Sequence, residues 1–169
     1  MQESFADQIL GESAGPISID TREENRLATL ALAQQAARTM HVFSHHLDPG
    51  IYNNQAFIDA VTKLAVRSRY SKIQILVQDT QPIIKNGHRI IEASRRVSSF
   101  VKIRKVHQDY QDHPQAFFIV DETGYNLRNL SSRYEGQVDF NGRKEARNLV
   151  KFFDEVWLKS EPEPMLRQL

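Results

Sequence analysis

Two groups of side chains in this sequence have types and spacing that could do chemistry. The larger one is cationic. Between Arg67 and Lys105, ten lysines and arginines stand against only Asp79 and Glu92, in a chain whose formal net charge is +1. A block this basic suits phosphate-bearing partners or an acidic protein surface. Within it, His88 and Arg89 open a predicted helix whose N-terminal amides could meet an anion, and Arg95, Arg96, Lys102 and Arg104 follow on that helix and the next strand. With Arg128 and Arg133 from a later connection, these residues form the candidate anion- or nucleic-acid-binding set. The second group is smaller: His113 stands just before the apolar run Ala116–Val120 and Asp121 just after it. His113 is a weak catalytic candidate.

Other chemistries are disfavoured by what the chain contains. It has no cysteine, so disulfides, thiolate metal sites and cysteine nucleophiles are excluded. Its seven glycines are scattered, with no Gly-rich phosphate loop and no Gly-x-Ser-x-Gly elbow. His45, His46 and Asp48 lie close in sequence, but adjacent residues at a strand end point to opposite sides and cannot easily chelate one ion. Neither a metal nor a cofactor is expected. No stretch approaches the roughly 18 consecutive apolar residues of a membrane span, and residues 1–18 lack the basic-then-apolar order of a secretory signal. The expected location is cytoplasmic.

The elements that must position these residues follow from periodicity and turn chemistry. At 169 residues, the chain fits one globular domain with a real core. Residues 1–19, with Gly11, Gly15 and Pro16 and no clear period, read as a flexible acidic tail. Thr21-x-x-Glu24 is a capping box opening a first helix that carries Leu27, Leu30, Ala31, Ala37 and Met40. Met40–Ser44 alternates as a short strand, and Asn53 or Asn54 caps a second helix bearing Phe57, Val61 and Leu64. Ile73–Val77 is a strand, a loop with Pro82 and Gly87 follows, and His88–Val97 is a third helix. Val101–Val106 alternates strictly, with Lys102 and Arg104 on its wet side. Ala116–Val120 reads as a strand covered on both faces, pairing with 125–130 across the Asp121–Gly124 turn. In the last helix Ala146, Leu149, Val150, Phe153 and Trp157 make one apolar face, with Asn141 as the predicted N-cap and Lys144, Arg147 and Lys151 as a basic stripe. Glu161-Pro-Glu-Pro164 ends it and opens a C-terminal tail, 161–169. The predicted architecture is α/β: a mixed β-sheet sandwiched between α-helices in a domain over 20–160.

The strand His113–Asp121 resembles the catalytic strand of the phospholipase D superfamily, His-x-Lys-x-x-x-x-Asp. Val42-Phe43-Ser44 and His46 to Tyr52, followed by the helix bearing Phe57, are similar to that fold's opening strand and helix. Val77-Gln78-Asp79, His88-Arg89-Ile90, Ser94-Arg95-Arg96 and Phe153-x-x-x-Trp157 are also similar to an uncharacterised bacterial domain family. The resemblance implies a single phospholipase D-like half, a site near strand ends, and a homodimer across a two-fold axis. The motif itself departs: Gln115 holds the lysine position and Asp121 comes one residue late. In that superfamily a His nucleophile works beside a Lys that neutralises nonbridging oxygens, and Gln115 brings no charge. The leading expectation is therefore a non-catalytic module that binds nucleic acid or another anionic partner through a basic face. The alternatives are a phosphodiesterase or nuclease with an altered site around His113, and a protein-interaction domain serving assembly.

Overall fold

In the computed structural model, which describes residues 5–13 and 15–168, one mixed sheet lies between two helical layers. Seven strands run β1 (Ile17–Ile19), β2 (Thr39–Ser44), β3 (Lys72–Val77), β4 (Val101–Lys105), β5 (Ala116–Val120), β6 (Gly124–Arg128) and β7 (Gly136–Asp139). Their spatial order is β1-β7-β6-β5-β2-β3-β4. β2, β3 and β4 are mutually parallel, whereas β5, β6, β7 and β1 join as antiparallel neighbours. The parallel part arises because helices cross over between β2, β3 and β4, and the antiparallel part from hairpins.

Helices α1 (Arg22–Gln34), α3 (Gln55–Arg67) and α5 (Arg89–Arg96), with the short α2 (Pro49–Tyr52), pack on one face over Met40, Val42, Ile73, Ile75 and Phe118. The other face is covered by α6 alone (Arg143–Lys159), through Ala146, Leu149, Val150, Phe153, Val156 and Trp157 against Phe43, Leu76, Phe117 and Ile119. One helix cannot span seven strands. The flanks of that face are left open, β3 and β4 on one side and β6 and β7 on the other.

The predicted caps hold at the first two helices. Thr21 and Glu24 form a reciprocal capping box on α1, and Asn54 Oδ1 accepts from the Phe57 amide to start α3. α6 instead takes Gly142 as its N-cap, since Asp139 already accepts from the Asn141 amide and Asn141 lies one residue too early. The β5–β6 connection turns through Asp121 and Glu122, both near φ +50°, with Thr123 N donating to Val120 O. Positive φ at both central residues is the type I′ geometry that matches strand twist.

Further expectations are corrected. α1 ends at Gln34, so Ala37 and Met40, expected on that helix, lie beyond it, Met40 in β2. The expected N-terminal tail 1–19 lies partly outside the described residues, but its described part is packed: β1 pairs with β7, and Phe5 is buried against Phe140. The apolar residues of this stretch keep no regular spacing, so periodicity does not mark them as core. The expected loop around Pro82 contains a short helix, α4 (Gln81–Asn86), with Pro82 in its first turn, where its missing N–H costs nothing. The expected C-terminal tail 161–169, of which 169 lies outside the described residues, crosses the edge of β4. Lys105 N donates to Glu161 O at 2.8 Å, and Leu166 is buried on the far side of the sheet. Strand β7 was not anticipated, because Val138 is its one strongly apolar residue.

Candidate functional site

The open flank of the sheet beyond α6 forms a cleft of about 770 Å³ along the edge strand β4. Its floor comes from β3 and β4 and its walls from the α5–β4 connection, Trp157 and the C-terminal segment. The parallel register places Gln74 beside Lys102 and Leu76 beside Arg104. Period-2 alternation puts Lys72, Gln74, Lys102 and Arg104 on the same face. Arg95 enters from α5 and is held by its Nη2 donating to Leu166 O at 3.3 Å. Four cations thus line one cleft, with Glu163 as its single lining carboxylate among the described residues.

Arg104 is the most constrained of them. Its Cζ lies 4.3 Å from the centroid of the Trp157 ring, and its Nη1 donates to Trp157 O at 2.8 Å. A cation over an aromatic face gains from the ring quadrupole, and the carbonyl fixes its position. Trp157 is itself buried, as its place on the apolar face of α6 predicted. Lys72 and Lys102 are exposed, so their charges are open to a partner.

The remaining candidates are distributed elsewhere. His88 caps α5: its Nδ1 accepts from the Ile90 amide, and burial pushes its pKa down to about 4. Arg89 is engaged by Asn53, which takes both its backbone N–H and Nη1. The N-terminal amides of α5 are therefore occupied from within the chain. Arg96 is exposed, 3.9 Å from Glu92 on its own helix. Arg128 is buried, its Nη1 donating to the carbonyls of Ser131 and Arg133, and it holds the β6–β7 connection beside Tyr134. Arg133 is exposed and lines a separate cleft with Glu135 and Glu145. Arg95, Lys102 and Arg104 are thus brought together, and His88, Arg89, Arg96, Arg128 and Arg133 are not. Lys72 and Gln74 were missed by the sequence reading. Their signal was the alternation Lys72-Ile-Gln74-Ile, which marks a half-open strand face.

His113 lies in an aromatic nest. Its ring stacks on Phe152 at 4.4 Å and meets Phe43 edge-on at 5.4 Å. Its Nε2 is buried without a hydrogen-bond partner, and burial holds its pKa below the usual range, partly offset by a hydrogen bond with Gln115. Gln78 Nε2 fixes the loop by donating to the carbonyls of Tyr110, Gln111 and His113. Gln115 donates to Asn129 Oδ1 at 3.3 Å, so the residue in the lysine position binds a neutral side chain. Asp121 accepts from the amides of Ala37, Arg38 and Thr39 at 2.7–2.9 Å, a structural clamp between the α1–β2 connection and the hairpin. Among the described residues, no group of three or more His, Asp or Glu is arranged to hold a metal ion, and no helix is long and apolar enough to cross a membrane.

A family model described as "Domain of unknown function (DUF7931)" matches residues 21–169. The chain belongs to this family. Among solved structures, this DUF7931 domain is similar to Nuc of Salmonella typhimurium, a phospholipase D family member, with a TM-score of 0.61 and 14% identity over 88% of this chain and 99% of that one. It is similar to NucT from Helicobacter pylori, with a TM-score of 0.62 and 11% identity over the same shares. TrmBL2, an archaeal chromatin protein whose structure shows a mode of DNA binding, matches with a TM-score of 0.65 and 18% identity over 94% of this chain. The DUF7931 domain spans 57% of the length of that protein. No curated sequence matches it significantly. At these identities the likeness establishes the fold, which is phospholipase D-like.

Proposed function

We propose that this domain is a non-catalytic module that binds nucleic acid through the basic cleft on the edge of β4. The observation that carries this reading is the convergence of Lys72, Arg95, Lys102 and Arg104 in one cleft, with a single opposing carboxylate among the described residues. Phosphates bound there would release counterions, giving affinity with a steep salt dependence. The DNA-binding neighbour adds support, since it places the same fold in a protein that meets DNA. The non-catalytic part rests on His113, whose ring is packed between Phe152 and Phe43, and on Gln115, which contributes no charge. The proposal includes a cytoplasmic location and a homodimer in which a two-fold axis doubles the basic surface. Light scattering tests the dimer.

The binding test is fluorescence polarisation with labelled single-stranded oligonucleotides across a salt series. The wild type binds and weakens steeply with salt. Lys72→Ala/Lys102→Ala loses affinity for every sequence and lowers the salt slope by roughly 0.7 for each lost phosphate contact. No binding at roughly 50 mM salt would sink the nucleic-acid reading and favour an acidic protein partner.

A further inference from the structure

The basic cleft also holds groups that phosphates alone would not use. Gln74, half-buried in its floor, has an Oε1 that is buried without a hydrogen-bond partner. A buried acceptor left unpaired is unfavourable and calls for an explanation such as a bound water, ion or ligand. Gln74 sits between His41 on β2 and Lys102 on β4 in the register of the sheet. Its strand neighbour on the same face is Lys72. Close by, Arg104 lies against the face of Trp157 and is anchored by the Trp157 carbonyl. One side of the guanidinium meets the indole, and Arg104 still lines the cleft and is only half-buried.

From this geometry we infer that the cleft reads an unpaired adenine-bearing strand, with the base stacked on Arg104 and its edge read by Gln74. The inference rests on the nucleic-acid reading above and names its ligand class. An unpaired base stacks on a planar guanidinium as it does on an aromatic ring. The Trp157–Arg104 pair therefore supplies a stacking platform although the indole itself is buried. A glutamine carboxamide pairs with adenine in two bonds: the N6 amino group donates to Oε1, and Nε2 donates to N7. A rotation of the Gln74 side chain that turns Oε1 toward the cleft makes that pairing and satisfies the orphaned acceptor. Lys72, two residues back along β3, and Lys102, beside Gln74 on β4, are placed for the phosphates next to the base.

Polarisation at low salt with four probes of equal length tests this: oligo-dA, oligo-dC, oligo-dT and an abasic phosphodiester backbone. Wild type should prefer oligo-dA by on the order of tenfold, the size of one good bidentate base contact. Gln74→Leu keeps the volume, and should bring oligo-dA to the level of the other two while leaving abasic binding unchanged. Arg104→Lys keeps the charge and removes the planar platform. It should weaken the base-bearing probes several-fold more than the abasic one. Equal wild-type binding of all four probes, or a Gln74→Leu loss that includes the abasic probe, overturns the base-reading inference but leaves phosphate binding intact. Failure of every probe to bind, the abasic one included, overturns both readings.

Discussion

Acid should destabilise this fold through a histidine that has nothing to bond. His41 lies in the centre of β2, 1% exposed, with both ring nitrogens buried and unpartnered and Phe153 edge-on at 4.9 Å. Burial first, and the charge of Lys72 second, push its pKa from the ordinary 6.5 down to about 4. The sign follows directly. Below 6.5 the unfolded chain takes up a proton that the folded chain refuses, so stability is full above that pH and falls as pH drops toward 4. With these two values, linkage gives a loss of about 2 kcal/mol at pH 5 and about 3 kcal/mol at pH 4. His88, held to about 4 by burial at the start of α5, adds a loss of the same sign. Urea unfolding at pH 7.5, 6, 5 and 4.5 measures the sum, and His41→Leu isolates one member. The variant should match or exceed wild type at pH 7.5, because it removes two unsatisfied nitrogens, and should lose about half of the extra acid sensitivity. An unchanged pH dependence in His41→Leu, or NMR titration of His41 near 6.5 in the folded protein, would refute the reasoning.

Phe153→Ala should destabilise by roughly 3–5 kcal/mol, since Phe153 is fully buried under α6 and packs on both His41 and Trp157; urea midpoints check it. Asp121→Ala removes the acceptor of three backbone amides and should cost about 2–3 kcal/mol, with Asp121→Asn losing less. Equal stability of the alanine variant and wild type would mean that those amides find water instead. The purified protein should show no phosphodiester hydrolysis above that of His113→Ala with a chromogenic diester, and turnover that depends on His113 would overturn the non-catalytic reading.

The local physics of this chain was legible in its sequence. The capping box at Thr21 and Glu24, the apolar face from Ala146 to Trp157 and the fully covered strand Ala116–Val120 all depend on neighbours within a few residues, and all three are present. So is the α/β architecture, because alternating helices and strands followed by a hairpin leave few ways to build a sheet. The packed ends of the chain were not legible. Phe5 and Leu166 lie in stretches with no helix or strand period, and only the surfaces they meet make them core. The cationic set was legible as charge but not as a site. Whether Lys102 joins Arg95 or Arg89 depends on strand order and on where one helix stops covering the sheet. Those facts belong to the tertiary structure, which spends His88, Arg89 and Arg128 on holding the chain together and leaves Lys72, Gln74 and Lys102 facing an open cleft.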